Sequence, residues 1–339
     1  MKKLKVGVLG ATGMVGREVL NVLDKRDFPI ETLRVYASER SAGKELETRW
    51  GTLVIENADR CDYSELDIAF FCIGSSWSKE NWPKAKGSGC IVIDNSSAFR
   101  YEDDVPLVIP EINPGAIANS DLIANPNCTT AIAAIPLFTL HKRWGLKKVI
   151  ISTYQATSGA GNRGMAELEA STREYLEGKE ITNEVFQWPI AFNLIPHIDT
   201  FQDNLYTKEE MKVTWETRKI FSAPDIPISC TAVRIPTMRA HSEAIIAETE
   251  KPIDPDEFRE LLEKTEGVQV KDDPGNNIYP MPLTASENFD VEVGRIRQNI
   301  VFGENGVEFF VSGDQILKGA ALNAVQIGEL VAKQKLSAQ

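Results

Sequence analysis

A short apolar run, Leu4–Leu9 (LKVGVL), meets Gly10-Ala11-Thr12-Gly13-Met14-Val15-Gly16 and then apolar residues at helical spacing, Val15, Val19, Val22 and Leu23. A strand that turns through glycines into a helix is the opening of a βαβ unit. Glycines permit a tight turn and a close backbone approach to a pyrophosphate. The helix N-terminus adds free N–H groups and a partial positive charge. The spacing is GxxGxxG rather than GxGxxG, but the physical use is the same. Further apolar runs at 33–37, 68–73 and 90–93 alternate with helical stretches. Strands this apolar need cover on both faces, which predicts a parallel, doubly wound nucleotide-binding sheet.

After residue 127 the pattern changes. The segments 148–154, 231–235, 244–249, 291–297 and 307–311 read as longer strands, several with apolar/polar alternation. Alternation predicts a mainly antiparallel sheet with one covered face. Helices are expected at 164–177 and 255–265, the second opening on Asp254 as N-cap and Pro255 at the first helical position. The Ala/Leu-rich stretch 315–335 reads as a helix returning to the first domain. The expected α/β fold is therefore a Rossmann-like nucleotide-binding domain, 1–127 completed by 315–339, plus an α+β domain with a mainly antiparallel sheet, 128–314.

The 339 residues suit two domains, and the formal charge of −12 disfavours nucleic acid or an anionic membrane as partner. Any anion must be held by local positive groups. No run is apolar and long enough for a membrane span, and residues 6–9 are too few for a signal-peptide core. The five cysteines are scattered without a CxxC or Cys/His cluster. That pattern predicts no metal and a reducing cytoplasm.

Three stretches carry chemistry. After the second strand, Ser38-Glu39-Arg40-Ser41 offers both an acidic residue for a ribose 2′-hydroxyl and an arginine for a 2′-phosphate. The two serines add hydroxyl donors and favour NADP. In Asn125-Pro126-Asn127-Cys128, the cysteine stands just before a predicted helix, where the dipole stabilises a thiolate. Cys61, Cys72 and Cys90 read instead as small buried hydrophobes. Of the three histidines, His141 reads as a helix C-cap and His197 as a loop residue. His241 lies in a short connection that begins with Arg234, between two predicted strands. Arg234 and His241 are thus expected at strand ends on one side of a sheet, pairing a carboxylate holder with a general base.

With these residues in place the chain resembles the bacterial aspartate-semialdehyde dehydrogenases over nearly its whole length. The resemblance is carried by GATGMVG at the start, DNSSAFR at 94–100, NPNCTT at 125–130, STYQATSGAG at 152–161, EEMK at 209–212, RIPTMRAHS at 234–242 and the KGAALNA segment from Lys318. It implies a homodimer, with 128–314 as its catalytic and dimerisation domain, that reduces L-aspartyl-4-phosphate to L-aspartate 4-semialdehyde with NADPH, releasing inorganic phosphate. By motif, Cys128 would be the acyl-forming nucleophile, His241 the acid/base, and Gln155 the residue orienting the thioacyl carbonyl. Arg234 would hold the substrate α-carboxylate, Arg100 and Lys212 the phosphate. Glu209 would position the substrate amino group or Lys212. Gly10, Ala11, Thr12, Gly13, Met14 and Val15, with Ser38, Arg40 and Ser41, would hold NADP. Ser158, Gly159 and Gln315 would approach its nicotinamide end.

Two other enzymes of similar chemistry fit less well. The N-acetyl-glutamyl-phosphate reductases carry a cysteine motif resembling NPGC followed by tyrosine, and glyceraldehyde-3-phosphate dehydrogenase has no place for EEMK. A non-catalytic NADP-binding homologue would lose Cys128, Gln155 or His241, and all three are present.

Overall fold

The computed structural model describes residues 3–118 and 120–337, the last two of them by backbone only. Two compact units divide the chain, Met1–Asn127 with Ala320–Gln339, and Cys128–Gly319.

The first unit holds strands β1 (Leu4–Leu9), β2 (Ile30–Ala37), β5 (Glu56–Asn57), β6 (Ile68–Phe71), β7 (Ile91–Asp94) and β8 (Leu122–Ala124) in one sheet of order β5-β2-β1-β6-β7-β8. Every neighbouring pair is parallel. All four residues of β6 are buried, as expected of a strand covered on both faces. Helix α1 (Met14–Lys25) buries Val19, Val22 and Leu23 of the expected stripe and Leu20 beside them, while Val15 is half-buried. Helix α8 (Leu322–Ser337) returns to this unit. The sequence reading missed a hairpin, β3 (Glu45–Thr48) with β4 (Gly51–Val54), and helix α2 (Ser75–Ala85). The hairpin is mostly charged and polar, and α2 contains Pro83 and little apolar periodicity.

The second unit is a sheet of order β10-β9-β11-β14-β13-β12, formed by β9 (Leu146–Gln155), β10 (Ile228–Arg234), β11 (His241–Thr249), β12 (Val268–Val270), β13 (Val291–Gln298) and β14 (Gly306–Gly313). The central pairings are antiparallel and the two outermost are parallel, so the sheet is mixed at its edges. Helix α3 (Cys128–Trp144) begins on Cys128 itself and runs unbroken through Pro136. Helix α4 (Gly161–Leu176) starts earlier than expected and α6 (Pro255–Leu262) ends earlier; α7 (Pro282–Ala285) is a single turn. Asp254 does cap α6, accepting from the Asp256 amide at 2.9 Å. Helix α5 (Lys208–Phe221) opens with a capping box between Thr207 and Glu210, a device worth about 0.5–2 kcal/mol. The unit extends to Gly319, past the expected end at 314, through a π-turn Leu317–Ala321, so Gln315 belongs here and not with the returning helix.

Candidate active site

On the first unit, Gly10 ends β1 in the left-handed region, φ +93°, where a Cβ would stand 2.4 Å from the Cys72 carbonyl oxygen. A Cβ on Gly16 would lie 2.2 Å from the Gly10 oxygen. Both positions therefore require glycine, and between them the backbone of Ala11, Thr12, Met14 and Val15 is drawn tightly around the start of α1. Gly13 caps that helix with no side-chain hydrogen bond, so no side chain occupies the first-turn amides through the cap. This is a cradle for a pyrophosphate. Past β2, Ser38, Glu39 and Arg40 are exposed and Ser41 half-buried, the turn closing through the Ser41 amide to the Ser38 carbonyl at 2.8 Å. Glu39 accepts a hydrogen bond from the Asn57 amide, which engages the acidic side chain of the pair.

Arg100 is buried in the same unit, donating from Nη2 to the Asn95 carbonyl at 3.0 Å. The DNSSAFR motif builds this loop from Asp94 at the C-terminal end of β7. Asp94 accepts from the Ser78 hydroxyl at 3.0 Å, the Ser96 hydroxyl at 2.7 Å and the Ser96 amide at 3.1 Å. Asn95 in turn accepts from Asn125 at 3.1 Å. Loops at the carboxyl ends of parallel strands are the expected ligand positions of such a sheet.

In the second unit, β9, β10 and β11 bring several expected residues to one end of the sheet. Arg234 closes β10, Gln155 pairs beside it at the end of β9, and His241 opens β11. Gly159, in the turn after β9, faces both the guanidinium and the imidazole: a Cβ there would lie 2.7 Å from Arg234 Nη1 and 3.4 Å from His241 Nε2. Arg234 donates from Nη1 to the Ala156 carbonyl at 2.6 Å and lies over the Phe186 ring at 5.8 Å. Gln155 accepts from the Thr153 hydroxyl at 3.0 Å and donates to Glu209 Oε1 at 3.2 Å, which leaves its second amide hydrogen. Glu209 Oε2 takes the Lys212 ammonium at 3.0 Å, one turn along α5, as the EEMK spacing predicts. Cys128 occupies the first position of α3, and Gly319 fits against it so closely that a Cβ would come within 2.7 Å of the cysteine Cβ. The charges of Glu209 and Cys128 both act on Arg234 against its burial, which places the sulfur in electrostatic reach of that guanidinium.

His241 is fully buried. Burial first, and the Arg234 charge second, push its pKa down to about 3 from 6.5, against the opposing charge of Glu209. Its Nδ1 accepts the Ala156 amide at 3.0 Å, so the proton of the neutral ring sits on Nε2. That Nε2 has no hydrogen-bond partner among the described residues. A donor is thus held ready beside Gly159.

Gln315 bonds to Ser158, another residue expected at the nicotinamide end, and has a second task as well. Its Oε1 accepts the Ala240 amide at 2.7 Å and its Nε2 donates to the Ser158 hydroxyl. Ala240 has φ +67° and immediately precedes His241. The amide therefore braces the turn that aims the imidazole. The remaining cysteines differ in burial from the expectation. Cys90 and Cys230 are buried, whereas Cys61 and Cys72 are half-buried. Burial raises the thiols of all four, that of Cys61 to about 11, so these are unreactive. His141 receives the Leu146 amide at 3.3 Å and stacks on Phe221, and His197 stacks on Phe201.

Sequence reasoning missed Asp199, Asp314 and Glu243. Asp314 is fully buried and accepts from Arg239 at 2.6 Å and from the amides of Ile316 and Glu287 at 2.9 and 2.7 Å. Glu243, two residues after His241 on β11, is fully buried with neither carboxyl oxygen partnered among the described residues. Burial pushes its pKa well above 4.5. A raised acid holds its proton in the fold, so its contribution to stability is complete below pH 4.5 and is lost as pH climbs toward the folded value. Glu243→Gln keeps the shape and removes the titration. Thermal unfolding is expected to match wild type near pH 4 and to occur at higher temperature than wild type at pH 8; equal midpoints at both would show Glu243 to be ionised and solvated.

Residues 5–120 match the family described as semialdehyde dehydrogenase, NAD binding domain, and residues 137–318 match semialdehyde dehydrogenase, dimerisation domain. The chain is 47% identical over 337 residues to the aspartate-semialdehyde dehydrogenase of Aquifex aeolicus, spanning 98% of this chain and 99% of that one. It is 45% identical over 332 residues to the Synechocystis enzyme of the same name, spanning 98% of each. Among solved structures, aspartate semialdehyde dehydrogenase II from Vibrio cholerae complexed with ASA superposes with a TM-score of 0.95 at 41% identity, over 98% of this chain and 99% of that one.

Proposed function

Since the chain belongs to the aspartate-semialdehyde dehydrogenases, we propose that Cys128 is the nucleophile through which it converts L-aspartyl-4-phosphate to L-aspartate 4-semialdehyde in amino-acid biosynthesis. The observation that carries this reading is the convergence of Arg234 and His241 on Gly159, beside the Gln155–Glu209–Lys212 chain. Arg234 holds the α-carboxylate with its planar fork. Lys212 meets the acyl phosphate or free phosphate, and Arg100 is the phosphate-binding cation of the first unit.

The Cys128 thiolate attacks the acyl carbon, forming the C–S bond as the C–O bond to phosphate breaks. The departing phosphate takes up one proton from solvent, the proton that the overall reduction consumes. Gln155 orients the thioester carbonyl with its spare amide hydrogen. NADPH, when bound, supplies the hydride that reduces this thioester. His241 Nε2–H meets the oxyanion that results, and collapse of that oxyanion breaks the C–S bond and returns Cys128 as thiolate. In the reverse direction His241 serves as the acid/base for the Cys128 hemithioacetal.

The residues of the first unit fit a nicotinamide dinucleotide, and its family description names NAD binding. The engagement of Glu39 by Asn57, with Arg40 and two serines beside it, favours the 2′-phosphate of NADP. A second copy of the chain is the partner. Ile150 and Tyr154 are exposed on the outer face of the second sheet, with Phe310 packed 6.0 Å from Tyr154. An apolar sheet face of this kind is suited to cover by its own copy. We assign the protein to the cytoplasm, a reducing compartment that its five free cysteines suit.

The test supplies the protein with aspartate semialdehyde, inorganic phosphate and NADP, and follows nicotinamide absorbance. NADPH formation that requires phosphate, and is much weaker with NAD, is expected. Reduction without phosphate, or none at all, would overturn the reading.

A further inference from the structure

Asp199 stands in the loop between α4 and α5, and nothing in the motifs singles it out. Its Oδ2 holds the Lys212 ammonium at 2.7 Å, closer than Glu209 does at 3.0 Å. Its Oδ1 accepts the Thr200 amide at 2.8 Å, so both carboxylate oxygens are committed. The residue has φ +70°, a conformation that L side chains rarely adopt but that aspartate and asparagine tolerate. Burial alone would raise this carboxyl, but the hydrogen bond and charge of Lys212 outweigh it and hold it below its ordinary value.

The span around Asp199 is tied at both ends. Ile195 exchanges backbone hydrogen bonds with Arg234, at 2.8 and 2.9 Å. Thr200 accepts the amide of Lys208, the first residue of α5, at 2.7 Å. The loop thus links the cation that closes β10 to the helix that carries the second cation. A substrate with a carboxylate at one end and a phosphoryl group at the other is measured by the separation of two such cations. A lysine on a flexible stem loses rotamer freedom when fixed, so a single carboxylate leaves it loosely defined. Two carboxylates, one anchored through Gln155 to the sheet and one to the loop, fill two of its three donors.

We propose that Asp199 is a positioning residue that clamps Lys212 with Glu209, so that the third ammonium hydrogen is aimed at an incoming phosphoryl or phosphate group. The inference rests on the phosphate role given to Lys212 above. It makes Asp199 a determinant of substrate length, acting through Lys212 and not by contact with substrate.

Two variants test it. Asp199→Gly removes the clamp while suiting the left-handed backbone, and Asp199→Asn keeps an acceptor and that backbone. In the phosphate-dependent assay, Asp199→Gly is expected to raise the KM for phosphate on the order of 10-fold, equivalent to about 1.4 kcal/mol, with kcat and the KM for NADP near wild type. Asp199→Asn is expected to recover most of that loss. Inorganic phosphate titrated against thermal unfolding gives a readout without turnover: it should raise the midpoint of wild type and Asp199→Asn, and raise that of Asp199→Gly much less. An unchanged KM and unchanged phosphate response in Asp199→Gly would overturn the inference. So would tighter phosphate binding in both variants, because Asp199 would then be a competing anion. A wild type stabilised by phosphate yet unable to reduce NADP with aspartate semialdehyde would instead sink the proposed function alone.

Discussion

Cys128→Ala is expected to abolish phosphate-dependent NADP reduction, a fall in kcat on the order of 10⁴ or more, while the protein folds as before. Every bond made or broken on the protein in the proposed route passes through this sulfur. The other four thiols are raised by burial, and none takes over. The structural cost is small because the side chain is only half-buried and alanine keeps the Cβ against which Gly319 packs. Losing one sulfur from such a site costs about 1 kcal/mol. The measurement is the wild-type assay repeated on the variant, with thermal unfolding and NADP binding as controls. Retained turnover with phosphate would show that no Cys128 thioester lies on the path. Cys128→Ser should be nearly as inactive, since a hydroxyl at the same helix start remains protonated.

What the sequence discloses about this site follows from how each residue does its work. Gly10 and Gly16 are legible because the need is local: a left-handed turn and a helix packed on it leave no room for a Cβ, and the glycines appear in order. Cys128 is legible for the same reason, as the first residue of its helix. Arg234 and His241 flank one short connection, so their meeting follows from two strand ends. The parallel sheet of the first unit is legible from its apolar strands, whereas the β3–β4 hairpin and α2 lack periodicity.

Glu243 and Asp199 are silent in the sequence. An acid inside the β11 alternation looks like any outward-facing polar residue, and only burial between sheet and helices shows that it faces inward. Asp199 reaches Lys212 through a loop whose path is fixed by backbone pairing of Ile195 with Arg234, a contact between distant segments. Gln315 shows the reverse case. Its motif points to the cofactor, and it does bond to Ser158 of the same expected group, but its brace on Ala240 comes from a turn far from it in the chain.

His241→Asn is the second large effect, and it carries two signatures that a merely structural residue would not combine. Loss of a positioned acid/base group lowers kcat by about 10²–10⁴, with the KM for phosphate, set by Lys212, much less affected. The second signature is acid stability. The folded pKa of about 3 lies below the ordinary 6.5, so the stability linked to the neutral ring is present above pH 6.5 and is lost as pH falls toward 3. Asparagine does not titrate there. The variant should therefore resist acid better than wild type, its unfolding midpoint gaining on wild type steadily from pH 6.5 downward, even as its activity is poor at every pH. An unfolding profile parallel to wild type would mean that the imidazole titrates in the fold as it does in the unfolded chain, and a variant that loses ground to wild type in acid would mean that it is protonated and paired there. The two signatures share one cause. Burial beside Arg234 keeps the ring neutral with its proton on Nε2, and in the proposed complex a substrate carboxylate on Arg234 would offset that cation and oppose the second of these two causes.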